Sequence, residues 1–282
     1  MKVRFWGTRG SLPAPGAGTQ RYGGNTPCVE LRAGGSLFVL DAGSGIRELG
    51  TFLMKEAGGR PITGDIFITH THWDHIQGFP FFTPVFQPGN RFRIHGGRGS
   101  TKAFDKVMGG LMDPVYFPVE LGDMSAKMEF IEVGGPLEYG EVLVRSTFSN
   151  HPGVNLAYRF DQGGKSVTYL TDHEIYEAMH ESSPFGKKQD RLIEDFCRGT
   201  DLLICDAQYT DQDYRVKRGW GHSRYRDTVA LGLAAGARRL ALFHHDPWRD
   251  DDALDAIEKD ARLIAGGKLE CFAAREGQTI DI

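Results

Sequence analysis

Short apolar runs rich in β-branched and aromatic residues recur along the whole chain, and several stop abruptly on a histidine or an aspartate. The runs cover residues 3–6, 28–32, 36–41, 65–70, 91–95, 128–133, 142–149, 155–160, 166–171, 201–206, 239–244 and 268–273. Runs this short, with this content, read as buried strands. Helical spacing is clearest later: over 190–198, over 224–235 with Ser223 as its N-cap and Gly236 as its stop, and over 251–264. Many strands with a few helices inserted late predict an α/β architecture, two packed sheets with helices outside. No linker rich in Pro, Ser or charge interrupts the 282 residues, so one domain over 1–282 is expected.

The endings of these runs carry the chemistry. Asp41 follows Leu37-Phe38-Val39-Leu40, His70 follows Ile66-Phe67-Ile68-Thr69, and His151 comes soon after 142–148. Asp172 follows Val167 to Thr171, Asp206 follows Leu202 to Cys205, and His244 follows Leu240 to Phe243. Any one of these aspartates could be an ordinary turn residue. In open sheets, however, ligands gather where strand ends meet loops, and such endings converging on one rim would build a site for two metals. The densest group is His70-Thr71-His72-Trp73-Asp74-His75. Three imidazoles and a carboxylate are all metal-ligand types, and the end of a strand holds them rigidly.

Other features narrow the class. A net charge of −4 offers no global basic field for nucleic acid or membrane, though a local basic groove stays open. The strand-like pattern begins at Met1-Lys2-Val3, so no signal peptide is expected, and no stretch approaches the roughly 20 apolar residues of a membrane span. The four cysteines form no CxxC pair, and Cys28, Cys205 and Cys271 lie in apolar runs. Buried free thiols in a reducing cytoplasm are expected.

The spacing of His70, His72, Asp74 and His75 resembles the H-x-H-x-D-H signature of the metallo-β-lactamase superfamily. His151, Asp172 and His244 stand in the order of the remaining ligands of its dinuclear branch. Asp206-Ala207-Gln208-Tyr209, Gly221-His222-Ser223 and the segment Leu242 to Pro247 resemble the tRNase Z and phosphodiesterase side of that family. Gly7 to Ser11 and Asp41 to Gly45 fit the same group. The resemblance implies an αββα sandwich carrying two divalent metal ions, zinc first, with manganese or iron as alternatives. It implies that His70, His72 and His151 hold one ion, that Asp74, His75 and His244 hold the other, and that Asp172 bridges them. The spacing to Pro247 favours His244 over His245 as the last ligand. Asp41 and Asp206 are expected to accept the N–H groups of ligand imidazoles, or else to cap turns. A water shared by the ions would become hydroxide near neutral pH and attack an electrophile, with Asp74 and Asp172 at the catalytic centre.

Asp172 and His222 bear on the substrate. β-Lactamases of the family commonly carry Cys at the Asp172 step, whereas a carboxylate there favours phosphodiester hydrolysis or a thioesterase. In the resembled phosphodiesterases the histidine equivalent to His222 protonates the leaving alkoxide, which is worth roughly 10²–10⁴-fold. Arg215, Lys217, Arg218, Arg224 and Arg226 crowd around Trp220. Arg218, Trp220 and Arg224 are the candidates for binding a phosphate that bears an aromatic base, against the alternative of a solvated basic loop. The segment 97–125, glycine-rich and then apolar, suits a substrate-side cap, a dimer surface or core packing, and does not resemble the long tRNA-gripping arm of many tRNase Z enzymes. The expectation is a cytoplasmic dinuclear phosphodiesterase acting on a small phosphodiester such as a cyclic nucleotide, with a metal-bridging hydroxide as nucleophile and His222 as general acid. Family members are often homodimers. The alternatives are a thioester or lactone hydrolase on the same metals, and a non-hydrolytic metal-bearing accessory protein.

Overall fold

A computed structural model describes residues 1–98, 102–180 and 183–282. In the first half of the chain, six strands form: β1 (Lys2–Gly7), β2 (Cys28–Ala33), β3 (Ser36–Leu40), β4 (Thr63–Phe67), β5 (Arg91–Gly96) and β6 (Lys127–Glu132). Seven more follow: β7 (Leu137–Tyr139), β8 (Val142–Phe148), β9 (Leu156–Gln162), β10 (Lys165–Leu170), β11 (Leu202–Asp206), β12 (Arg239–Phe243) and β13 (Glu270–Ala273). The last, β14 (Thr279–Asp281), returns to the first sheet, giving the orders β14-β1-β2-β3-β4-β5-β6 and β13-β12-β11-β10-β9-β8-β7. Each sheet is antiparallel on one side and parallel on the other: β3 to β6 run parallel, as do β10 to β13.

The period-2 alternation of strand side chains sorts the apolar residues into layers. On β3, Phe38 and Leu40 enter the core between the sheets, while Leu37 and Val39 face outward under the helix Ile46–Ala57. On β11, Leu202 and Ile204 point inward, while Leu203 and Cys205 pack beneath the helices Pro184–Cys197, Tyr225–Ala234 and Asp251–Ala265. Helix, sheet, sheet and helix therefore stack as the expected αββα sandwich. All four cysteines are buried free thiols, and among the described residues no helix is long and apolar enough to cross a membrane.

Three differences from the sequence reading have local causes. The helix Ile46–Ala57 was not expected, because it starts without a side-chain cap and carries Gly50 in its interior. That glycine faces Phe82, Thr83 and Pro84 closely, so packing sets its identity. The strands β7 and β14 are only three residues long, too short for alternation to register. Ser223 does not cap the helix Tyr225–Ala234: Arg224 holds that position without a side-chain cap, and the Ser223 hydroxyl donates to the His173 carbonyl at 2.5 Å.

Phe67 occupies the centre of the inter-sheet core. Its ring stacks on His95 at 4.5 Å and meets Phe38, Tyr158 and Phe160 edge-on or tilted. Phe67→Ala should destabilise the protein by about 3–5 kcal/mol through lost transfer energy and a residual cavity. Urea unfolding of the variant measures this, and a loss below about 1 kcal/mol would place the core elsewhere.

Candidate metal centre

The parallel strands of both sheets deliver their following residues to one rim. Asp41 leaves β3, Asp172 lies two residues beyond the end of β10, and His244 leaves β12. All three adopt the left-handed backbone region, with φ of 59°, 49° and 61°. The fourth non-glycine residue there among those described is Ser11, φ 62°, whose N–H donates to Asp74 Oδ2 at 2.7 Å. Such conformations cost free energy and persist where the surroundings over-determine them. Here all four touch the same cluster.

Two half-sites share Asp172. In the first, His70 Nε2 and His151 Nε2 each lie 3.0 Å from His72 Nδ1, and Asp172 Oδ2 stands 3.6 and 3.7 Å from the His70 and His151 nitrogens. In the second, His75 Nε2 and His244 Nε2 are 3.3 Å apart. Asp74 Oδ2 lies 3.3 and 3.1 Å from them, and Asp172 Oδ1 lies 3.1 and 3.2 Å from them. Each oxygen of Asp172 thus faces a different trio of ligand atoms. Asp172, Asp74, His70, His75 and His244 are buried, and His72 is exposed at the rim.

The opposite ring nitrogens of four of these histidines are committed. His75 Nδ1–H donates to Asp41 Oδ2 at 2.8 Å, His244 Nδ1–H to Gln208 Oε1 at 2.9 Å, and His151 Nδ1–H to the Gly221 carbonyl at 2.9 Å. His70 Nδ1–H donates to Thr69 Oγ1 at 3.1 Å, whose own proton goes to Asp41. These acceptors fix the tautomers, so the inward nitrogens present lone pairs. Lone pairs and carboxylate oxygens facing one another at these distances suit a cation between them. The electrostatics agree. Burial would push Asp172 and Asp74 up, yet the surrounding imidazoles hold both carboxyls well below their usual range. Burial would lower His75, yet Asp172, Asp74 and Asp41 raise it well above the usual imidazole value. The negative charge gathered around that ring is what a bound cation would neutralise. The donor set therefore fits divalent ions.

Asp206 and His222 lie against this cluster as a pair. Asp206 Oδ2 accepts from His222 Nδ1–H at 2.7 Å and from the His173 N–H at 3.2 Å, while its Oδ1 accepts the Gln208 N–H at 3.0 Å. The His222 ring stacks on His244 at 5.0 Å. Burial disfavours its cation, but Asp206, with Asp172 and Asp74 behind it, raises its pKa to about 9. Asp206 therefore orients His222, whereas Asp41 orients His75. His245 turns away: its Nε2–H donates to the Ala274 carbonyl at 2.9 Å, and burial lowers its pKa to about 3.

The basic loop is more occupied than its sequence suggests. Arg224 is bound by Asp227 and Asp211, Arg226 by Asp211 and Asp260, and Lys217 by Asp246. Arg218 donates to the Met179 carbonyl, and Trp220 is exposed. Of the segment 97–125, residues 99–101 lie outside the described residues. Phe104, Met108, Met112 and Met124 pack into the core under the first sheet, while Val115 and Tyr116 are exposed. Sequence reading missed Gln208, the backbone of Ser11, and Thr69, Tyr169 and Glu174. Tyr169 donates its hydroxyl to Asp41 from across the core, a contact between separate sheets that no spacing announces.

Comparison with known proteins agrees with this geometry. Residues 37–245 match the β-lactamase superfamily domain. The chain is 24% identical to ribonuclease Z of Gemmatimonas aurantiaca, across 100% of this chain and 96% of that protein. Among solved structures, the short form of human tRNase Z superposes with a TM-score of 0.67 at 20% identity, covering 100% and 99% of the two chains. A diphosphatase of the PhnP family does so with a TM-score of 0.66 at 16% identity, covering 100% and 97%. At such identities the structural likeness speaks for the fold.

Elemental analysis of purified protein should find two divalent ions per chain. Asp172→Ala, which removes the shared carboxylate, should lower both. Gly10→Ala should selectively weaken one, because a Cβ at Gly10 would collide with the His244 ring. Full occupancy in both variants would contradict the half-site arrangement.

Proposed function

The chain belongs to the metallo-β-lactamase superfamily and is a metal-dependent hydrolase, and from that premise we propose that it cleaves a small phosphodiester, a cyclic nucleotide being the first candidate. The observation that carries this reading is the His222–Asp206 pair beside the two half-sites. We assign His70, His72 and His151 to one ion, Asp74, His75 and His244 to the other, and Asp172 to both. Two bound divalent ions would supply an activated water and neutralise the phosphoryl oxygens.

The remaining work falls to the protein. Asp41 and Gln208 hold His75 and His244 in the ligating tautomer. Asp206 fixes Nδ1–H of His222 and keeps the ring cationic, leaving the Nε2 proton for the departing alkoxide. A tethered ribose alkoxide is a poor leaving group, and a positioned acid helps it most. A thiolate or activated aryloxide needs little such help, so this pair favours alkyl phosphodiesters over thioesters. Trp220 at the surface offers a face for a nucleobase. Similarity to ribonuclease Z, and fold likeness to a diphosphatase, support phosphorus chemistry.

Metal-loaded protein should hydrolyse bis(p-nitrophenyl) phosphate and lose that activity with a chelator. His222→Ala should cut turnover of an alkyl phosphodiester by roughly 10²-fold or more while retaining metal. A protein that turns over thioesters and leaves a phosphodiester panel untouched would refute the proposal. The acid must be protonated to work, so turnover of alkyl esters should fall as pH rises through the pKa of His222, which Asp206 raises. Asp206→Asn removes the carboxylate that raises that pKa, so the basic limb of the pH–rate profile should move to lower pH by roughly 1–3 units. An unmoved limb would assign it to another group.

A further inference from the structure

We infer that Glu174 is the positioning residue that sets His222, by clamping the backbone of the loop Gly219–His222 against the end of β10. The inference rests on the general-acid reading of His222 given above. Glu174 lies two residues beyond Asp172 and is 1% exposed. Its Oε1 accepts the Gly219 N–H at 2.8 Å and the Tyr214 hydroxyl at 2.6 Å, and its Oε2 accepts the Gly221 N–H at 2.9 Å. Both glycines have positive φ, 84° and 89°, which turns their N–H groups toward one carboxylate. The main chain of Glu174 is stitched in turn to the residue before His151: its N–H donates to the Asn150 carbonyl at 2.9 Å, and its carbonyl accepts from Asn150 Nδ2 at 2.7 Å.

The clamp reaches reacting groups by two routes. His222 directly follows Gly221, so the register of the Gly221 peptide sets where the imidazole meets Asp206. The Gly221 carbonyl also accepts from His151 Nδ1–H. No side chain fits at Gly221, since a Cβ would strike His151 and Pro152. Glu174 thus ties the segment carrying a ligand imidazole to the segment carrying the acid. A glutamine cannot replace it without cost. One carboxylate oxygen would become an amide NH₂ facing a backbone N–H, two donors without a proton acceptor between them. The loop must then shift.

The test compares Glu174→Gln, His222→Ala and the double variant on two substrates, with metal content measured alongside. Bis(p-nitrophenyl) phosphate expels an aryloxide and needs little acid, whereas a nucleoside 2′,3′-cyclic phosphate expels an alkoxide. Glu174→Gln should lower kcat for the cyclic substrate about 10-fold more than for the aryl ester, with KM little changed. In the His222→Ala background it should add no further loss on the cyclic substrate. Where His222→Ala itself shows the substrate preference, equal losses on both substrates in Glu174→Gln, or additive losses in the double variant, would overturn the inference. A second readout is independent of turnover: in metal-free protein, the Nδ1–H resonance of His222 should shift in Glu174→Gln, and an unchanged resonance would overturn the inference. If Glu174→Gln does not fold, Tyr214→Phe removes one donor to the same carboxylate and should give a smaller loss with the same substrate preference; no preference would refute the clamp. The two readings separate cleanly. A His222→Ala variant without substrate preference defeats the general-acid reading, while a shifted resonance still upholds the positioning by Glu174.

Discussion

Three carboxylates, Asp41, Asp74 and Asp172, are buried together at the rim of the sandwich, and most of the site follows from how their charge is balanced. An ionised carboxylate removed from water needs hydrogen bonds, a cation or both. Asp41 is satisfied by protein donors alone: the Thr69 N–H and hydroxyl, His75 and Tyr169. Asp74 and Asp172 face mainly imidazole nitrogens whose protons are committed elsewhere. Their charge demands positive charge in the space between, which is the property of a metal centre.

The sheets are arranged to meet that demand. Parallel strands point their ends in one direction, so β3, β10 and β12 deliver Asp41, Asp172 and His244 to the same edge. The inter-sheet core then sets the distance between the two contributions. Tyr169 leaves the second sheet to reach Asp41 of the first, and Tyr158 donates to the carbonyl of Ile68 just ahead of the histidine cluster. Packing of the apolar layers and alignment of the ligands are therefore one structural problem. The strain held at Asp41, Asp172 and His244 marks where the backbone bends to meet the site.

The outer loops refine this centre. Ser11 and Gln208 hold the Asp74–His244 side, through the Ser11 N–H on Asp74 and the side-chain Oε1 of Gln208 on His244. Glu174 and Gly221 hold the opposite side, where His151 and His222 stand. Several of these contacts use main-chain atoms. Backbone N–H and C=O groups look the same in every sequence, so such roles leave little trace in residue identity beyond the glycines that allow them.

The sequence determined the chemistry and the class of fold. Alternation and length identified nearly all the longer strands, and the residues that end them, with the run His70 to His75, named the candidate ligands that folding gathers into clusters able to hold a metal. It was silent on the helix Ile46–Ala57, whose interior glycine answers to Phe82 and Pro84, and on β7 and β14, whose three residues carry no period. It also made the basic loop look like a phosphate trap, whereas folding brings Asp211, Asp227, Asp246 and Asp260 against three of its cations. Only the tertiary structure decided which aspartate orients which imidazole, how Asp172 divides its two oxygens, and what holds His222 in place. Those are distances between residues far apart along the chain, and local pattern carries no information about them until the sheets pack.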